Sequence, residues 1–136
     1  MNYKDTLASV TWEQATAKVD SFNTIATLVF HTGYYLAIVA RVLQGGPLSG
    51  KDAESFDVPA IESQEAWEQL LTRVWGEVEE MAALIEQVPD SKLEEVFTDV
   101  KYGTYYRNLA GMVEHFHYHL GQIVVIKKLL GIGGKG

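Results

Sequence analysis

The chain has 136 residues, a mass of 15.2 kDa and 47% hydrophobic residues, which is enough apolar material for a single domain spanning residues 1–136 with an ordinary core. With no cysteine, disulfides, thiolate metal sites, iron–sulfur clusters and a cysteine nucleophile are excluded, so histidine and carboxylate must hold any metal. Eighteen acidic residues against eleven basic ones give a formal charge of −7, and the scattered lysines and arginines form no basic footprint, so no nucleic-acid partner is expected.

Met1 to Asp5 contain no apolar signal core, and no run reaches the roughly 18 uninterrupted apolar residues of a membrane span. A cytoplasmic protein without a membrane partner is expected. In chain order, Asp5 to Thr16 carry Leu7, Val10, Trp12 and Ala15, and Thr11 followed by Glu13-Gln14 resembles a helix start, so a short first helix breaks or bends near Val10-Thr11. From Asn23 to Leu43, apolar residues recur at three- and four-residue steps and stop at Gly45-Gly46-Pro47, which predicts a long helix. Ser63 to Val88 repeat the pattern between a capping serine and Pro89. Thr104 to Leu130 form the last long helix, whose seam centres on Phe116 and Ile123. Two long loops, Gly45 to Ile61 and Pro89 to Gly103, are expected to fold over one end and border a pocket, with Val96 to Tyr102 at most locally extended. The fold class is all-α, a four-helix bundle with a short first helix and long inter-helix loops.

The last helix carries three of the four histidines in Glu114-His115-Phe116-His117-Tyr118-His119-Leu120-Gly121-Gln122-Ile123. Four residues apart, His115 and His119 share a helical face and can offer two nitrogens to one metal ion. His119 falls within about 60° of the seam and His115 within about 80 to 100°, whereas His117 lies on the other side. His31, on the edge of the second helix's apolar stripe, is the candidate third ligand. Three neutral imidazoles with open positions would suit zinc or nickel, with iron also admitted. Satisfaction of each ring by a tyrosine, carboxylate or backbone carbonyl is the competing explanation. Gln122 is either placed to hold a ring nitrogen or a water or is a helix-surface glutamine, and Gly121 implies a close approach by another backbone. Glu114 and His117 make a solitary Glu-x-x-His, short of a di-iron set, and His-Glu-x-x-His, a nucleophile elbow and Gly-rich nucleotide loops are absent.

In two stretches, Ile25-Ala26-Thr27-Leu28-Val29-Phe30-His31 and His115 through Ile123, the chain resembles the DinB-like superfamily, helical bundles that include the bacillithiol transferases. In that family a histidine of the second helix and two histidines four apart before Gly-Gln-Ile bind one divalent metal. The resemblance thus implies His31, His115 and His119 as ligands and leaves His117 out. It further implies a homodimer and a metal that activates a low-molecular-weight thiol, or water, toward a small-molecule substrate. The segment before Val10 is short for the family's first helix, and a partner is expected to shield the bundle there. Two readings stand: a divalent-metal-dependent thiol transferase or hydrolase, and a non-catalytic metal- or small-ligand-binding stress-response dimer. An open coordination position beside a lined pocket favours the first; a fourth protein ligand or a sealed site favours the second. No catalytic acid or base is assigned, since Glu114 and Tyr118 point away and Tyr35 reads as core packing ahead of a pocket tyrosine.

Overall fold

The structure is a computed structural model that describes residues 2–132. Hydroxyl and amide caps set where its helices begin. Asn2 caps α1 (Tyr3–Leu7) by accepting from the Asp5 amide, and Thr11 and Gln14 form a reciprocal capping box at the start of α2 (Trp12–Thr16). The expected break near Val10-Thr11 is therefore where the second cap begins. Thr24 caps α3 (Ile25–Leu43), Ser63 caps α4 (Gln64–Glu86) and Thr104 caps α5 (Tyr105–Leu129), each accepting from the amide three residues on and so satisfying a donor that the helix cannot. After α3, Gly45 adopts φ 91°, a left-handed turn that suits glycine. Among the described residues there are no strands, and the expected extension is one isolated bridge, Val96 to Thr104.

α3 is the centre of the bundle, in contact with α2, α4, α5 and the short 3₁₀ turn Asp52–Phe56 of the loop that follows it. In length and composition it matches a membrane span, yet 61% of its most apolar window is buried inside the fold, as a central helix requires. Ile25, Leu28 and Val29 of α3 meet Trp67, Leu70 and Val74 of α4 and Leu120, Ile123 and Ile126 of α5 in one cluster. α1 and α2 close its remaining side. Tyr3, Leu7 and Val10 are buried within the chain itself, Tyr3 packs on Trp75 and Phe116, and the Trp67 indole donates to the Val10 carbonyl at 2.8 Å. The buried Lys127 ammonium donates to the Thr6 carbonyl at 2.8 Å, tying the end of α5 to α1.

The close helix approach falls at Gly33, and the sequence-based expectation that placed it at Gly121 is corrected. A Cβ added at Gly33 would lie 2.6 Å from Glu77 Oε2 and 2.9 Å from Val74 Cγ2, so α4 sits against bare backbone of α3. At Gly121 an added Cβ would meet nothing within 4 Å. Glu77 is caught in this contact, where burial pushes its carboxyl up from the ordinary value while Arg73 opposes the shift. The two glycines should therefore respond oppositely to alanine. Gly33→Ala should lower the urea-unfolding free energy by about 1 to 3 kcal/mol through overpacking, whereas Gly121→Ala should raise it by up to about 1 kcal/mol through helix propensity. Equal responses would contradict the packing described.

Candidate metal centre

The site is assembled from the two helices whose seams carry histidine. His31 stands on α3, buried, and His115 and His119 stand one turn apart on α5, the first half-buried and the second buried. One ring nitrogen from each lies within 4.8 Å of the other two, so the three candidates taken from the sequence meet at one point. His117 does not join them. It is exposed, with Nδ1 at 3.0 Å from the Val113 carbonyl of its own helix, and Glu114 is exposed as well.

The tautomers follow from the outer hydrogen bonds. The Ser55 hydroxyl donates to the Asp52 carbonyl at 2.5 Å, so its oxygen is left to accept from His31 Nδ1, 2.9 Å away. Gln122 Oε1 can only accept, so His119 donates to it from Nδ1 at 2.6 Å. His31 and His119 consequently present bare Nε2 lone pairs inward. His115 Nε2 lies between them, 3.3 Å from His31 Nε2 and 2.8 Å from His119 Nε2. One proton on His115 Nε2 can serve one of these contacts, and the lone pair at the other is left without a donor. A cation at the centre gives every nitrogen a partner. The donor set fits a divalent ion, since nitrogens in a tetrahedral zinc shell about 2.0–2.1 Å from the metal stand about 3.3 Å apart. The residue types also fit, because neutral imidazoles whose far nitrogens are fixed by hydrogen bonds are borderline donors of fixed orientation.

Burial disfavours the charged form of two of the rings, His31 and His115. Desolvation, followed by the charges of His119 and His115, pushes His31 down to about 4 against the opposing effects of Asp52 and Ser55. Desolvation and then His119 lower His115 in the same direction. The loop after α3 supplies residues that the sequence reading missed. Ser55 is fully buried beneath His31, and Phe56 stacks on the His31 ring at 4.3 Å between centroids. Asp52 accepts a short hydrogen bond from the Tyr35 hydroxyl, and the Tyr35 ring stands edge-on to His31 and His115 at 5.0 and 5.5 Å. Tyr35 is therefore a half-buried wall of the site, the pocket position and not the core packing favoured from the sequence.

The site opens onto solvent through a cleft of two lobes, each about 330 Å³, that share Tyr35, Val39, Tyr102 and Asn108. One lobe reaches His115 and Arg107, and the other reaches Lys51 and Asp52. Both expected loops contribute to it, and among the described residues no fourth ligand joins the three histidines. Behind Gln122 lies a separate groove of about 410 Å³ lined by Phe22, Tyr118, Gly121 and Val125.

Residues 1–123 match the family described as the DinB superfamily, and the chain belongs to it. That match covers all three histidines, the serine and the glutamine of the site. No curated protein and no solved structure matches the chain.

The depressed histidines set a pH dependence for the metal-free protein. Above about pH 6.5 the His31 ring is neutral in both folded and unfolded chains. Below it the unfolded chain takes up protons that folded His31 refuses until about pH 4, so stability falls across that window. Urea midpoints measured between pH 7 and 4.5 should drop further for the parent than for His31→Leu. Parallel profiles would contradict a buried neutral His31.

Proposed function

We propose that the protein is a divalent-metal-dependent enzyme in which His31, His115 and His119 hold one zinc or nickel ion through Nε2, with iron also accommodated by the donor set, and in which a small molecule reacts at the cleft. The observation that carries this reading is the convergence of three Nε2 atoms, two of them left bare by the hydrogen bonds of Ser55 and Gln122. An ion in such a site supplies Lewis acidity, which favours the deprotonated form of a thiol or of water and so serves thiol transfer or hydrolysis.

The chain's own residues do the rest. Ser55 and Gln122 hold the imidazoles in the tautomer that points a lone pair inward, and Phe56 keeps water from the face of His31. Tyr35 retains its proton at neutral pH, since burial and the hydrogen bond to Asp52 push its hydroxyl up. It therefore offers a hydrogen-bond donor beside His115, while Asp52 is the carboxylate available in the cleft to receive a proton. A cleft that reaches His115, with three protein ligands gathered beside it, supports the enzyme over a sealed storage site. The alternative is a non-catalytic metal- or ligand-binding homodimer. What favours it is the apolar stripe of Tyr118, Val125 and Leu129 left exposed on α5, a face that a second copy would cover.

Elemental analysis of untagged protein should find about one divalent ion per chain, and none in a His115→Ala/His119→Ala double variant. The loaded parent should then catalyse either conjugation of a low-molecular-weight thiol to 1-chloro-2,4-dinitrobenzene or hydrolysis of a small ester, with Tyr35→Phe slower at unchanged metal content. A parent that neither contains nor takes up zinc or nickel would overturn the metal reading. A loaded parent inert in both assays would leave the binding protein.

A further inference from the structure

A row of residues on α5 runs from the histidines out along the cleft. His119, His115, Gly111 and Arg107 follow one another at four-residue intervals and so share one slowly turning stripe of the helix. The last three line the same lobe. Gly111 is the missing side chain of that row. A Cβ added there would meet nothing within 4 Å and would project into the opening between the guanidinium and the imidazole. Arg107 and His115 are eight residues apart, about 12 Å along the helix axis, with room between them for an extended ligand.

Arg107 is held for this role. Gly103, at φ 82°, lets the arginine stem lie against its backbone, and a Cβ on that glycine would fall 2.8 Å from Arg107 Cδ. Among the described residues Arg107 makes no ion pair, although the chain carries eighteen acidic residues to eleven basic ones. The lobe it lines contains no carboxylate. Arg107 also stands in the first turn of α5, which has no acidic residue, and there the helix dipole disfavours a cation unless an anion joins it. Between the two ends of the lobe lie Val39 and Met112, which are apolar, while Asn108 and the tyrosines give polar edges.

We propose that this lobe binds a small carboxylate-bearing molecule, its carboxylate on the Arg107 guanidinium, its apolar stem over Gly111 and Met112, and its reactive end at the histidines. A single planar guanidinium matches a monoanionic carboxylate through two parallel N–H···O bonds, whereas a phosphate dianion would call for further cations. The inference deepens the metalloenzyme reading by naming its substrate class and rests on that reading for the reactive end alone. The carboxylate end rests on the cleft.

The test is an NMR titration of isotopically labelled protein with sodium hexanoate and, separately, hexanol, in zinc-free and zinc-supplemented samples. Hexanoate should shift the Gly111 amide and the Arg107 Nε–H signals saturably in both samples, and bind about tenfold more tightly than hexanol, as expected for a charge-assisted pair. Arg107→Gln should erase that preference while leaving hexanol binding unchanged. Gly111→Leu should abolish binding of both probes with an unaltered fold, since it adds a side chain in open space. Equal affinities for acid and alcohol, an unaffected Arg107→Gln variant, or no binding would each overturn the proposal. Zinc uptake, followed in the same samples by the His31, His115 and His119 ring signals, decides the metal reading separately from the carboxylate result.

Discussion

The arrangement on which the rest of this structure turns is the meeting of three imidazole nitrogens with more lone pairs than protons to share. Two far nitrogens are committed outward, to Ser55 and Gln122, so the near ones have nothing to donate. Burying such a cluster without a cation places unmatched acceptors against each other in a medium that does not screen them well. The fold nevertheless holds them there through its central helix and its longest one. A metal-binding site is the arrangement in which that tension is relieved, and the DinB superfamily is where the chain belongs.

Position in the bundle explains why the cluster is held. α3 contacts α2, α4, α5 and the Asp52–Phe56 turn, so His31 sits on the element with the least freedom to shift. On its other side α4 packs directly on Gly33, and the Tyr3, Trp67 and Val10 contacts close the bundle beyond it. The open side is left to the loops. Asp52, Ser55 and Phe56 come down over His31 from one, Tyr102 from the other, and the cleft is the space that remains between them and α5.

Much of this was legible in the sequence because it is periodic. Apolar spacing located α3, α4 and α5 to within about two residues, and the same wheel put His115 and His119 into or along the edge of the core and His117 on the other side, as they stand. Gln122 was legible too, since its partner His119 is three residues away on the same helix. Ser55, Asp52 and Phe56 were not, because a loop has no period and their contact with His31 and Tyr35 depends on how the loop folds back over α3. Gly121 was misread for a related reason. A glycine inside a helical pattern signals missing volume, and whether a neighbour fills it, as at Gly33, or a cleft does, as at Gly111, is decided by another element.

The measurement closest to the central claim is the zinc K-edge X-ray absorption spectrum of the zinc-loaded protein, which counts imidazole nitrogens directly. The account predicts a shell containing three imidazoles at about 2.0–2.1 Å with exchangeable oxygen donors completing it. A shell with one imidazole or none would contradict it, because the ion would then be held somewhere other than where His31, His115 and His119 converge.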